Sequence, residues 1–221
     1  GSDPNLLDSC LDAIAAADVL IVCMLFMEEH LNPVLPALKA RRDGCDAMLC
    51  FMSAGDVMKL TKIGGFTMDG KQSGPLALLR RLRGAKSKQS GSSGAKQMAM
   101  LRRLPRILRF IPGKAQDVRV YFLAMQYWLA GSPKNIRNLV ALLISRYASG
   151  PRERFRKQVK VTAPREYPEI GVYHPSLKRR VADSAGALPA AKDRGQGTVG
   201  LLVMRSYILA GNSRHYDAVI E

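Results

Sequence analysis

The order of apolar and polar positions changes character along the chain, and the first seventy residues carry the clearest pattern. Asp3 stands before Pro4 as an acceptor before a helix-opening proline, and Leu6, Leu7, Leu11 and Ile14 share one side of the turns that follow, which predicts a helix to about Ala17. Asp18 leads into an unbroken apolar run over 19–26. Its length and β-branched content predict a strand buried on both faces, as in a parallel sheet. Glu28 and Glu29 open a second helix carrying Leu31, Val34, Leu35 and Leu38; Lys39, Arg41 and Arg42 complement the dipole at its end, and Gly44 stops it. A second buried strand is expected over 46–52, with Ser53 capping a short helix that carries Val57, Met58 and Leu60. Helix and strand alternate, which implies right-handed crossovers and a parallel sheet.

The pattern breaks after Gly64-Gly65. Gly70, Gly74-Pro75 and the Gly/Ser tract over 90–94 read as a flexible loop. The period then becomes helical: Val118, Tyr121, Phe122, Met125 and Leu129 mark one stripe, and Ile136, Leu139, Val140, Leu143, Ile144 and Tyr147 another, opened by Ser132-Pro133. Residues 101–111 are also helical in pattern, with Pro105 expected to kink or split them. After Gly150-Pro151 the chain is charged and proline-spaced, with short strands expected over 158–161 and 170–173. The apolar run 198–204 reads as a third buried strand and 213–221 as the start of a helix, so the sequence reads as a piece of something longer. The expected fold class is α/β, a Rossmann-like parallel sheet (1–66), a basic flexible loop region (67–96), a helical region (97–150), an irregular linker (151–197), and the first strand and helix of a following α/β unit (198–221).

Charge sharpens this picture. The net charge is +16, and between Gly70 and Gln116 there are twelve Lys or Arg and no Asp or Glu. That positive field suits a mobile solvated loop, or a docking surface for a partner subunit or an anionic membrane, with Arg102, Arg103, Arg106 and Arg109 as its candidates. Nucleic acid is not expected, because no aromatic residue for base stacking lies between Phe66 and Phe110. No apolar run approaches the roughly 20 residues of a bilayer span, and no secretory signal opens the sequence, so a cytoplasmic location is expected, with at most a peripheral membrane contact. Cys10, Cys23, Cys45 and Cys50 lack CxxC spacing and are expected as buried free thiols, with no metal site. Gly65 to Lys71 matches GxxxxGK, but Gln72 replaces the required hydroxyl and the segment follows a helix, so no nucleotide is expected there.

Few groups here carry chemistry. Glu28-Glu29-His30 falls where a strand turns into a helix, the edge at which α/β ligands bind, and reads equally as a solvated helix start. His174, between Tyr173 and Pro175, suits a ligand contact or a turn. Met48, Met52, Met98, Met100 and Met125 have the spacing of core filling. The turn over 204–216 gathers the most polar groups: Arg205, Ser206, Ser213, His215 and Tyr216, with Tyr207 beside them. A helix start at the end of a strand suits an anion, which Arg205 would pair with; the same groups also serve to hold a turn together.

Four stretches carry a resemblance: ADVLIVCMLFMEEHLNPVLPALKARRDGCDAMLCFMSAGDVMKLTKIGGFTM at 17–68, MLRRLPRILRFIPGKAQDVRVYFLAMQYWLAGSPKNIRNLV at 100–140, GVYHP at 171–175 and VGLLVMRSYILAGNSRHYDAVIE at 199–221. In order and spacing they resemble the large, porphyrin-binding subunit of magnesium chelatase, a relative of the cobalt chelatase large subunit. The resemblance implies a part near the beginning of a very large subunit that works with two smaller ones, including an ATPase, to insert Mg²⁺ into protoporphyrin IX for (bacterio)chlorophyll synthesis. Protoporphyrin IX and Mg²⁺ would be substrates of the full complex and ATP would bind a partner. This piece would hold none of them tightly, would be inactive alone, and has no assignable catalytic base. Under that resemblance Arg205, Ser206, His215, Tyr216 and His174 become porphyrin-binding candidates, Arg205 for a propionate and the rings of Tyr207 or Tyr216 for the macrocycle. The alternative is a scaffold or subunit-docking module that never touches porphyrin.

Overall fold

Five consecutive residues without a polar side chain organise the first part of the molecule. In the computed structural model, which describes residues 4–69, 103–178, 180–189 and 199–220, Ala47–Phe51 (β2) is buried throughout, none of its residues above 1% exposed. Val19–Cys23 (β1) pairs with it in parallel, Val19 opposite Ala47 and Cys23 opposite Phe51. Side chains alternate across a strand, and Met48 and Cys50 share one core with Ile14, Leu31, Leu38, Val57 and Leu60. Helices Pro4–Ala16 (α1) and Glu28–Arg41 (α2) supply the first three of those partners, and each large apolar side chain so buried stabilises by about 1.5–3 kcal/mol. The described residues divide into two compact units, 1–126 with 139–161 and 127–138 with 162–221.

Several expectations are corrected in the first unit. β1 ends at Cys23 instead of running to 26, because Met24 takes a left-handed backbone (φ 60), as Met52 does after β2 (φ 49). The two turns clasp each other: Met24 N–H donates to Met52 O at 2.9 Å and Ala54 N–H to Leu25 O at 2.8 Å. Ser53 is drawn into the clasp, accepting from Leu25 N–H at 3.2 Å, so the short helix Gly55–Met58 (α3) has no side-chain cap. β1 is only half-buried because, among the described residues, a strand pairs it on one side alone.

The sheet is mixed instead of wholly parallel. Lys62–Ile63 (β3) runs antiparallel beside β2 and turns back into Phe66–Thr67 (β4), giving the order β1-β2-β3-β4. The glycine pair that reads as a break in the pattern is the turn of this hairpin, since Gly64 has φ +55. Thr61 extends the pairing with its side chain: fully buried, its hydroxyl donates to Cys50 O at 2.9 Å and accepts from Cys50 N–H at 3.2 Å.

The helical expectations hold for Lys114–Ala130 (α5) and Pro133–Tyr147 (α6), which follow a short helix over 103–108 (α4). Residues 103–108 are helical with Pro105 among them, and the start of the segment predicted over 101–111 lies outside the described residues. The inward side of α5 is Ala115, Val118, Tyr121 and Ala124, whereas Phe122, Met125 and Leu129 are half-buried. The Tyr121 hydroxyl reaches the sheet, donating to Cys50 O at 3.4 Å, and its ring meets Phe66 edge-on at 5.5 Å. Asp117 of α5 holds the hairpin turn, accepting from Gly65 N–H at 2.8 Å and from the Tyr147 hydroxyl at 2.8 Å. Burial and the Asp117 carboxylate push the Tyr147 phenol well above its ordinary range.

The opposite, amino edge of β1 and β2 is tied by charge. Arg152 donates to both oxygens of Asp46, at 2.9 and 3.1 Å, and lies 3.3 Å from Asp18. Ser149 adds its N–H to Asp46 at 3.1 Å, together with its hydroxyl. These bonds anchor the 3-10 helix Gly150–Lys157, which replaces the irregular start expected of the linker; 158–161 form no strand. Among the thiols, Cys50 is buried and pushed up to about 12 by desolvation, Cys23 and Cys45 are half-buried, and Cys10 is exposed, because α1 turns only Ile14 fully inward. The flexible loop expected over 67–96 lies outside the described residues from 70 onward, and so does Arg102.

In the second unit Val172–Tyr173 (β5) pairs antiparallel with Val181–Ala182 (β6), and the helices Arg205–Ala210 (α7) and Arg214–Ile220 (α8) follow. The third buried strand is not formed. Residues 199–204 carry no strand pairing, and Val199 and Leu202 are 95% and 99% exposed, because no described strand lies beside them to satisfy their backbone.

Two outcomes test this architecture. Asp46 is held at about 2, chiefly by the Arg152 hydrogen bonds and then by Ser149, against an ordinary value of 3.8. A carboxylate depressed on folding gives stability present above the unfolded value and lost as pH falls from about 4 to about 2, here on the order of 2 kcal/mol. Urea unfolding at pH 7 should therefore show Asp46→Asn destabilised by about that amount, with the gap to wild type closing by pH 2. A gap independent of pH would remove the charge argument. In Gly64→Ala the added Cβ would lie 2.7 Å from both Asp117 oxygens at a left-handed position, so a loss of about 2 kcal/mol or more is expected by the same measurement.

Candidate functional site

The 204–216 turn belongs to the second unit, and the surrounding framework is built by residues the sequence pattern passes over. Asn135 and Asn138 lie one helical turn apart on α6 and are buried, at 1% and 6% exposure. Asn135 exchanges two hydrogen bonds with the Arg165 backbone, both at 2.9 Å, and Asn138 accepts from Thr162 N–H at 2.8 Å. The Tyr127 hydroxyl donates to Thr162 O. These side chains fix a segment with no ladder of its own. The hairpin beyond it closes tightly: a Cβ on Gly171 would lie 2.5 Å from Ala182 O.

That hairpin aims Tyr173 and Arg180 at the start of α8. The Tyr173 hydroxyl meets Ser213 Oγ at 3.0 Å and donates to Asp217, while Arg180 donates to Ser213 Oγ at 2.7 Å and to Asp217 at 3.3 Å. Burial, then the Asp217 carboxylate, raises the Tyr173 phenol above its usual value. Ser213, fully buried and directly before α8, is the hub of this cluster. Nothing in the local pattern marks the cluster, since its members lie about forty residues apart; the one signal is a polar Ser213 before an apolar helix face.

Arg205 opens α7 and donates to Pro168 O at 2.7 Å and to Tyr167 O at 3.3 Å, binding backbone that precedes the hairpin. Ser206 is exposed on the same helix. His215 and Tyr216 pack ring on ring at 3.9 Å, and Tyr207 meets them edge-on at 5.8 and 6.5 Å, so α7 and α8 together present one imidazole and two phenols. The Tyr216 hydroxyl accepts from Met204 N–H at 3.4 Å. His174 stands apart from those rings in its role: its Nδ1 accepts from Ser176 N–H at 3.2 Å and meets Ser176 Oγ at 2.7 Å, closing the turn of the hairpin.

In the first unit, Arg103, Arg106 and Arg109 are exposed around α4 while Leu104 and Leu108 face inward. Glu28, Glu29 and His30 are exposed at the start of α2, beside Met24, Phe26 and Met27, each more than half exposed. No group of three or more His, Cys, Asp or Glu among the described residues is arranged to hold a metal, and no described helix is long and apolar enough to cross a membrane.

Comparison with known proteins gives this geometry a family. A model described as Domain of unknown function (DUF3479) matches residues 1–122, and one described as CobN/Magnesium Chelatase matches 125–221. The chain is 49% identical to the magnesium-chelatase H protein of Cereibacter sphaeroides, over 99% of this chain and 18% of that protein. It is 44% identical to the magnesium-chelatase H protein of Rhodobacter capsulatus, over 99% of this chain and 18% of the relative. With the chloroplastic magnesium-chelatase protein ChlH of Oryza sativa subsp. indica the identity is 32%, over 96% of this chain and 16% of the relative. The chain thus spans less than a fifth of the length of these relatives. Matched over its first 122 residues, the chain belongs to the DUF3479 family, and its remainder is similar to the CobN/Magnesium Chelatase family.

Proposed function

We propose that this chain serves in porphyrin handling within a magnesium chelatase, as part of the subunit that presents protoporphyrin IX for ATP-dependent Mg²⁺ insertion. The observation that carries the reading is 49% identity to a magnesium-chelatase large subunit along 99% of the chain. In this reading protoporphyrin IX and Mg²⁺ are substrates of the whole complex, and ATP is hydrolysed on one of two smaller partner subunits. Mg²⁺ is a hard cation that sheds water reluctantly, so insertion needs the macrocycle held, bent and stripped of its two pyrrole protons. The His215, Tyr216 and Tyr207 rings offer a surface for a flat tetrapyrrole face, and His215 offers a nitrogen to hydrogen-bond or accept a proton. Ser206 and Arg205 lie on the adjoining helix, Arg205 within reach of a propionate only if it gives up the Pro168 carbonyl.

That last point favours a second reading. Arg205 binds the Tyr167 and Pro168 carbonyls and His174 Nδ1 accepts from Ser176 N–H, as residues of a scaffold do, and a module that positions other parts of the subunit would need no more. Exposed Arg103, Arg106 and Arg109 then serve a partner subunit or an anionic membrane surface.

Substitutions in the full-length subunit separate the readings. His215→Ala should weaken protoporphyrin binding, followed by the Soret absorbance, roughly tenfold with little change in melting temperature, the size expected for one lost ring contact and hydrogen bond. Arg205→Ala should lower the melting temperature more than it lowers affinity. Wild-type binding and wild-type Mg²⁺ insertion in both variants would leave the turn a scaffold and discard it as a porphyrin site.

A further inference from the structure

A hollow of about 200 Å³ opens on the first unit, away from every residue assigned above. Val19, Val140, Ile144, Ala148 and Phe155 line it, and beside them Asp18 and Asp46 are both answered by Arg152. Its apolar walls come from β1, α6 and the 3-10 helix, and Val140 and Phe155 remain 39% and 38% exposed at its mouth. An apolar recess held open to water is a binding feature when its rim supplies complementary charge.

The chain segment that supplies most of the lining is cationic. Between 139 and 161 stand six Lys or Arg and a single acid, Glu153. Arg152 is neutralised by Asp46 and Asp18, and Arg156 is spent on Ala148 O at 2.6 Å and Glu153 at 3.2 Å. Arg146, Arg154, Lys157 and Lys160 are exposed and make no salt bridge to any described residue. Arg154 lies over the Phe155 ring at 4.9 Å, which fixes a positive charge at the lip of the hollow.

We infer that this hollow is a docking site for an acidic polypeptide segment that inserts an apolar side chain. The apolar walls take the side chain, and the four cations meet carboxylates flanking it. A recess of this size fits one anchor residue, whereas a lipid surface is flat and leaves it unfilled. Nucleic acid would need successive stacking rings, and Phe155 is the one aromatic residue lining the hollow.

The test uses the whole chain and a fluorescein-labelled peptide of glutamates around a central leucine pair, against the same peptide with alanines in place of the leucines. Fluorescence anisotropy should show the leucine peptide binding roughly tenfold tighter, the effect of burying an aliphatic anchor. Phe155→Ser and the pair Arg154→Gln with Lys157→Gln should each weaken it about fivefold or more, in a salt-dependent way. Arg103→Gln with Arg106→Gln and Arg109→Gln should leave it unchanged, and circular dichroism should show every variant folded. Equal affinity for the two peptides, loss only in the α4 variant, or capture by phosphatidylglycerol vesicles without peptide binding would each overturn the assignment.

Discussion

The first unit depends on keeping β2 away from water on both faces. A strand reading Ala-Met-Leu-Cys-Phe has no side chain that water can solvate, so elements on either side must cover it, and its backbone must be paired along both edges. β1 pairs one edge in parallel and β3 the other antiparallel; where β3 ends, the Thr61 hydroxyl substitutes for a further strand residue at Cys50. α1 and α2 close one face through Ile14, Leu31 and Leu38, and Tyr121 reaches the Cys50 carbonyl from α5. The covering elements are held from outside the sheet by two carboxylates. Asp46 fixes the amino edge to the 3-10 helix, and Asp117 joins the hairpin turn to Tyr147.

The second unit is assembled on another principle. Its described residues include a two-residue hairpin and the short helices α7 and α8, too little regular pairing to satisfy their backbone by ladders alone. Side chains take over that work: Asn135 and Asn138 hold 162–165, Arg205 binds the carbonyls at 167 and 168, and His174 closes its own turn. The Tyr173, Arg180, Ser213 and Asp217 cluster then sets the start of α8, and with it the orientation of His215 and Tyr216. A polar network of this kind fixes geometry closely because each group left unpaired would cost about 1–3 kcal/mol. The rings it presents are therefore placed by hydrogen bonds, while the first unit is placed by apolar burial.

What the sequence determined by itself was the material that periodicity encodes. Two parallel strands, the second of them buried throughout, the helices between and after them, the Ser132 cap and the exposure of Arg103, Arg106 and Arg109 all follow from local pattern, because the energy behind them is apolar area repeating at 2 or 3.6 residues. The family resemblance was legible for a related reason, since it rests on ordered stretches of a chain that is 49% identical to a relative along 99% of its length. Tertiary structure alone decided the rest. An apolar run becomes a strand only if a neighbour accepts its hydrogen bonds, so 47–51 is one and 199–204 is not. Ala115 and Ala124, not Phe122 and Met125, face inward on α5, because close helix packing needs small side chains and hydropathy alone underweights them. Arg205 and Ser213 were visible as polar residues near a turn. Their partners lie about forty residues away, and no local pattern encodes a distance in space.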